Sequence, residues 1–216
     1  MNILHGVNAS PFVRKVRIAL KEKGVEYDMD IVMPLNVSDE YKKISPLGKI
    51  PCYTPRDGVN IPDSSVIIQY LERTAPTPRL IPEDPKDMAR ALFFEEYGDS
   101  ALMNAVGTVF FQRVVAPRFM GQETDQAAVA TALEEQLPPL FAWLDSQVGA
   151  SDYLVGDAFS VADIGIVSPF VNFRHAGEAP DAKRFPKLAG YLSTMMQRPS
   201  IKELIDEESA QFSSAA

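Results

Sequence analysis

The spacing of apolar and polar residues changes repeatedly along the first third of the chain, and each change marks an element. Ile3 and Leu4 form a short apolar run, and residues 2–5 read as a strand. Between Pro11 and Lys23 the apolar positions Phe12, Val13, Val16, Ala19 and Leu20 recur at helical spacing. Arg14, Lys15, Arg17, Lys21 and Lys23 occupy much of the other face, which predicts an amphipathic helix ended by Gly24. Residues 27–33 alternate, with Tyr27, Met29 and Ile31 set against Asp28 and Asp30, and predict a second strand. So short a strand–helix–strand unit implies a parallel pair with a right-handed crossover. Residues 39–44 predict a brief helix. Residues 45–54 read as a turn and then a strand holding Pro51, a residue confined to edges and irregularities of sheets. Asp57-Gly58 is a hairpin signal leading to residues 59–61. Asp63-Ser64-Ser65 opens a helix carried by Val66, Ile67, Ile68, Tyr70 and Leu71. The first 75 residues therefore read βαβ, then ββα.

Beyond residue 74 the texture changes. Pro76, Pro78, Pro82 and Pro85 crowd an extended linker at 76–87, and no strand pattern recurs after it. Residues 88–115 carry one long helical pattern with a break expected near Pro117. Residues 124–148 carry another, with a kink or break expected at Pro138-Pro139. Ser160 and Asp163 form a capping box, and Phe159 and Ile164 occupy the staple positions of a helix over 161–174. Another helix opens at Phe185-Pro186-Lys187. Arg198-Pro199-Ser200 marks a turn before a short helix to Glu207, and residues 209–216 read as a small, polar, flexible tail. The domain reading is 1–75 α/β, 76–87 linker, 88–208 all-helical, and 209–216 tail.

Composition narrows the function. A 216-residue chain with 46% hydrophobic and 23% charged residues is an ordinary globular protein, long enough for two small domains. Its formal charge of −8 argues against a nucleic-acid surface or an anionic membrane. No stretch approaches the roughly 20 apolar residues of a membrane span, and the N-terminus lacks a signal-peptide core. The single cysteine, Cys52, excludes an internal disulfide and fits a reducing compartment, so a cytoplasmic protein is expected. With that cysteine and only His5 and His175, no metal site of nitrogen and sulfur ligands can be assembled.

Ser10-Pro11 carries the chemistry most economically. Serine is a favoured N-cap and proline a favoured first helical residue, so Ser10 stands where orphan N–H groups and the positive helix end favour an anion. Taken alone, Ser10 is simply a cap. Asp63-Ser64 is likewise explained by capping, Ile50-Pro51 by an edge-strand proline, and Lys49 by a solvated loop.

Taken together and in order, these motifs resemble the cytosolic glutathione transferase family. The stretch from Ser10 to Gly24 resembles the first helix of its serine-type classes (tau, theta and zeta). Ser-Pro-Leu-Gly-Lys-Ile-Pro at 45–51 resembles the family's loop before a cis-proline, Asp63 to Leu71 its third helix, and Ser160 to Ile164 its capping box. The resemblance implies a thioredoxin-like α/β N-terminal domain and an all-α C-terminal domain. It makes Ser10 the hydroxyl that donates to the glutathione sulfur. Phe12, Lys49, Ile50, Pro51, Asp63 and Ser64 become the glutathione-binding set. Within it Ile50 offers a strand edge, Lys49 meets the glycine carboxylate, Ser64 receives the γ-glutamyl carboxylate and Asp63 the α-amino group. The long helix presents Tyr97, Ala101, Asn104, Thr108 and Phe111 along one face, and Asn104, Thr108 and Phe111 are the candidate electrophile pocket. Expected partners are glutathione as co-substrate, a small hydrophobic electrophile and a second copy of the chain, with no metal. The implied activity is detoxifying conjugation, or addition and elimination in an isomerase or dehalogenase variant. The serine-serine-cysteine pattern of the zeta diketo-acid isomerases is absent, and Ser10-Pro11-Phe12-Val13-Arg14-Lys15 stands in its place. A thiol–disulfide mechanism lacks a cysteine near position 10. The alternative is a non-catalytic member of the fold that binds ligands or proteins.

Overall fold

The computed structural model describes residues 1–214 of the chain, which form two compact units. One comprises residues 1–80 together with residues from 206 onward, and the other residues 81–205.

The first unit is built on a four-stranded mixed sheet in the order β2-β1-β3-β4, formed by β1 (Ile3–Gly6), β2 (Asp28–Ile31), β3 (Cys52–Thr54) and β4 (Ile61–Pro62). The strands β1 and β2 run parallel, joined through helix α1 (Pro11–Glu22), while β3 and β4 are antiparallel to their neighbours. Leu4 aligns with Met29 on one side and Tyr53 on the other. A polar row crosses the sheet: His5 Nδ1 lies 2.7 Å from Asp30 Oδ2, and His5 Nε2 lies 2.9 Å from Thr54 Oγ1. Two further helices complete this part, α2 (Asp39–Ile44) and α3 (Ser64–Thr74). The apolar core joins Leu4, Val13, Val16 and Leu20 to Tyr53, Ile67, Ile68 and Leu71, all buried.

Helix α1 departs from the expected amphipathic pattern. Every residue from Val13 to Leu20 is buried, and Arg14, Lys15 and Arg17 are buried with them. Lys23, at the helix C-cap, is also inside. A charge is buried only where it is paired and hydrogen-bonded, and the partners stand far away in sequence. Arg14 forms a double hydrogen bond with Glu208. Arg17 pairs with Glu207 and donates to the Tyr27 hydroxyl. Lys23 donates to the carbonyls of Ala75 and Pro78 and pairs with Glu72. Glu72 also accepts from the Leu80 N–H, so the start of the proline-rich stretch is folded onto this unit.

The second unit is helical. Its elements are α4 (Pro85–Tyr97), α5 (Met103–Phe110), α6 (Ala116–Phe119), α7 (Gln126–Thr131), α8 (Leu137–Gln147), α9 (Val161–His175) and α10 (Pro186–Met195). The sixteen-residue α11 (Pro199–Ser214) follows, and its residues from Asp206 belong to the first unit. Here the structure differs from the expected short helix to Glu207 and tail at 209–216. The helix continues to Ser214, and Ala215 and Ala216 lie outside the described residues.

Near Pro117 the helical run ends as expected, at Phe119, whereas at Pro138-Pro139 it continues unbroken into α8. Wider π-helical turns at Phe111–Val115 and Ala132–Gln136 directly precede those prolines. A π turn changes the carbonyl that each N–H reaches, which accommodates a residue with no N–H to give. A third π turn, Gly98–Leu102, joins α4 to α5. The box at the start of α9 forms as expected: Asp163 accepts from the N–H groups of Ser160 and Leu154 and from the Tyr191 hydroxyl. Among the described residues no helix is long and apolar enough to cross a membrane.

Candidate functional site

Three of the sequence motifs meet inside the first unit. Ser10 caps α1 with an extended backbone, and its Oγ accepts from the Val13 N–H at 3.4 Å. That contact uses a lone pair and leaves the hydroxyl proton to donate. Pro11 follows at the first helical position, and the next N–H, of Phe12, is one of the donors a helix start leaves open. Gly6 closes the end of β1 against this turn. A Cβ there would stand 2.5 Å from Val13 Cγ2 and 3.4 Å from Ile50 Cβ, so a glycine lets strand, helix start and the 45–51 loop pack together.

The Ile50–Pro51 peptide is cis. The loop before it is fixed from behind: the Tyr41 hydroxyl donates to the Lys49 carbonyl at 2.9 Å, and the Ser45 hydroxyl donates to the same oxygen at 2.7 Å. Burial pushes the Tyr41 phenol up to about 12, so it remains a donor across the neutral range. Sequence reasoning did not find this pair, although Tyr41 is the one buried residue of α2. Ile50 itself is half-buried, and among the described residues its N–H and carbonyl engage no other group. Behind it the Pro51 carbonyl accepts from the Asp63 N–H at 3.2 Å, which ties the loop to the start of α3.

Asp63 is a non-glycine residue with φ of 79°, a costly conformation held here by its own contacts. Its Oδ1 accepts from the N–H groups of Ser65 and Val66. Ser64 is buried at the first helical position, with its N–H and hydroxyl unengaged among the described residues. The unit therefore presents a hydroxyl beside a helix start, the unengaged backbone N–H and carbonyl of Ile50, and a second helix start flanked by a carboxylate.

Comparisons with known proteins show the family. Residues 4–79 match the family model of the glutathione S-transferase N-terminal domain, and residues 110–208 match that of the C-terminal domain. The chain belongs to the glutathione S-transferase family. A glutathione S-transferase of Hyoscyamus muticus is 28% identical over 214 residues, covering 94% of this chain and 97% of that protein. Maleylacetoacetate isomerase of Rattus norvegicus is 30% identical over 166 residues, covering 73% of this chain and 71% of that protein. Among solved structures, a glutathione S-transferase of Methylobacterium radiotolerans in complex with glutathione sulfonate is 28% identical with a TM-score of 0.77, covering 94% of each chain.

Within the glutathione S-transferase frame, the remaining candidates separate. The Lys49 side chain is exposed, and Phe12 is half-buried on α1. In the helical unit, Asn104 is exposed, Thr108 donates to the Asn104 carbonyl one turn earlier, and Phe111 begins a π turn. Tyr97 is held within the helical unit. Its ring stacks on Trp143 with centroids 4.4 Å apart, and its hydroxyl donates to the Leu140 carbonyl. The π turn between Tyr97 and Asn104 adds a residue to the helical period and rotates everything beyond it, which a uniform 3.6-residue count cannot anticipate. Among the described residues, no group of three or more histidine, cysteine, aspartate and glutamate side chains is placed to hold a metal ion.

Proposed function

We propose that the chain binds glutathione on its first unit and activates the thiol through the Ser10 hydroxyl for attack on small hydrophobic electrophiles. A cysteine thiol of pKa about 8.5 is mostly protonated at neutral pH, while the thiolate is the nucleophile. The Ser10 O–H and the open Phe12 N–H, at the positive end of α1, favour the ionised form and lower that pKa. Ser10 acts as a donor and takes no proton. The thiolate then forms a carbon–sulfur bond, and the leaving group departs with its electron pair.

The rest of the tripeptide follows the motifs. The Ile50 N–H and carbonyl pair with its cysteinyl backbone, and Lys49 meets the glycine carboxylate. The Ser64 N–H and hydroxyl take the γ-glutamyl carboxylate, and Asp63 the α-ammonium. Asn104, Thr108 and Phe111 select the electrophile. The observation that carries this reading is the contact chain from Ser10 through Val13, Gly6, Ile50 and Pro51 to Asp63, which unites the three motifs in one compact unit. We read the assembly as a homodimer, supported by Leu47, 82% exposed on the loop before Lys49. The compartment is the cytoplasm, where the lone buried Cys52 stays reduced.

The test is Ser10→Ala assayed with an aryl halide and a panel of glutathione-dependent substrates that includes a cis-enone isomerisation. Turnover should fall by about 10²-fold, the scale of removing one donor to a developing or stabilised anion. Retention on immobilised glutathione should persist. Wild-type turnover by the variant overturns the role of Ser10. Failure of the wild-type protein to turn over any substrate, with glutathione bound, would favour the non-catalytic reading.

A further inference from the structure

The segment that presents Ser10 has no regular structure of its own. Residues 7–10 link β1 to α1, and within them the Ser10 N–H donates to the Val7 carbonyl at 3.1 Å. The two residues just before Ser10 are nevertheless held, and both holds lead to the far end of the chain. The Asn8 Nδ2 donates to Glu207 Oε1 at 2.9 Å. The Ala9 carbonyl accepts from Arg14 Nη2 at 3.4 Å. Arg14 is in turn gripped by Glu208, with Nε 2.8 Å from Oε1 and Nη2 2.6 Å from Oε2. The Arg14 and Glu208 side chains are both fully buried. Arg17, one turn along α1, meets Glu207 Oε2 at 2.5 Å, so the two consecutive glutamates of α11 clasp the helix that Ser10 caps.

A buried ion pair is a poor device for stability alone, because desolvation offsets most of its attraction and an apolar pair of similar size does as well or better. Direction is what the guanidinium adds. Its planar fork fixes the angle between the carboxylate and the third acceptor, here the Ala9 carbonyl. A leucine or methionine pair could fill the same space and could not bond that oxygen.

We propose that Arg14 and Glu208 are positioning residues: with Asn8 and Glu207 they hold residues 8 and 9 and thereby aim the Ser10 hydroxyl. The C-terminal helix is then part of the machinery of the thiolate site, acting through Arg14 and Asn8. This inference rests on the reading of Ser10 as the thiolate donor.

The experiment compares the wild-type protein, Ser10→Ala, the double variant Arg14→Met/Glu208→Met, and Glu207→Ala at a side chain 44% exposed. Readouts are melting temperature, kcat, KM for glutathione and the pH profile of kcat/KM. The double variant should melt near wild type and lose kcat by about 10- to 100-fold, as a misaimed group does. Its rising limb should move to higher pH, since the thiol ionises less readily. Glu207→Ala should move both quantities in the same direction by a smaller amount. Wild-type kcat and an unmoved limb in both variants, with Ser10→Ala impaired, overturn the positioning role alone. Full activity of Ser10→Ala removes the Ser10 reading and this inference with it. Should the double variant fail to fold, Glu207→Ala decides: its unmoved limb overturns the proposal.

Discussion

The carbonyl oxygen of Gly165 faces the Cα of Gly98 so closely that a Cβ on Gly98 would stand 2.2 Å from it. The approach is reciprocal, since a Cβ on Gly165 would stand 2.7 Å from the Glu95 Cα. Pro169 lies one turn beyond Gly165 in α9 and has no N–H to give that carbonyl. The π turn beginning at Gly98 sits against the freed oxygen. Gly98→Ala and Gly165→Ala should therefore each destabilise the protein by at least the 1–3 kcal/mol typical of overpacking, roughly, because the obstacle is backbone. Urea denaturation checks this: the midpoint should fall with an unchanged slope, and a wild-type midpoint would show that the helices can part freely.

Burial pushes the Cys52 thiol up to about 11, and the thiol donates to the Ile44 carbonyl. Its folded value is raised above the unfolded value of about 8.5, so its contribution is present below about pH 8.5 and is lost as pH rises through about 11. Stability measured over that alkaline window should fall more steeply in the wild-type protein than in Cys52→Ala. Parallel slopes would show that the thiol titrates as it does in the unfolded chain. At neutral pH native Cys52 should react slowly with disulfide reagents, and quickly in urea.

These two relationships mark what the sequence could and could not convey. Ser10, Asp63 and Ser160 were legible because a cap is a local device: side chain and orphan N–H groups lie within three residues. The βαβ-ββα order was legible because period and turn chemistry are also local. The interior charges of α1 were not, because Arg14 and Arg17 look solvated until Glu208 and Glu207 are brought up from the other end of the chain. The helical run that continues through Pro138-Pro139 was hidden for a different reason. A π turn has no sequence signature as clear as the proline it accommodates, so the proline alone predicts a break. Tyr97, which a uniform helical count sets on one face with Asn104, stacks on Trp143.

Lys23 shows how costly such a hidden charge is to remove. Its Nζ lies 2.8 Å from the carbonyls of Ala75 and Pro78 and 2.6 Å from Glu72, with its side chain fully buried. Lys23→Met would leave a nearly buried carboxylate and two carbonyls without their donor, a loss of about 3–5 kcal/mol. Lys23→Met combined with Glu72→Met should recover much of that loss, since the apolar pair carries no unpaired charge. Equal midpoints for the single and double variants would mean that the carbonyl contacts, rather than the ion pair, account for the stability.

Asp63 allows capping to be separated from recognition in one residue. Its Oδ1 serves the N–H groups of Ser65 and Val66, and asparagine keeps an oxygen acceptor at that place. Asp63→Asn keeps an acceptor at the cap and removes the charge, so the melting temperature should stay near wild type. If the carboxylate receives the α-ammonium of glutathione, the variant loses a charge-assisted hydrogen bond of about 1.5–3 kcal/mol. That corresponds to a rise in KM for glutathione of about tenfold or more, with kcat for the bound thiolate little changed. Asp63→Ala loses the cap as well and should be less stable by roughly 1 kcal/mol before any cost of the left-handed backbone is added. A wild-type KM in Asp63→Asn would confine Asp63 to holding the start of α3, and the ammonium would then need another partner.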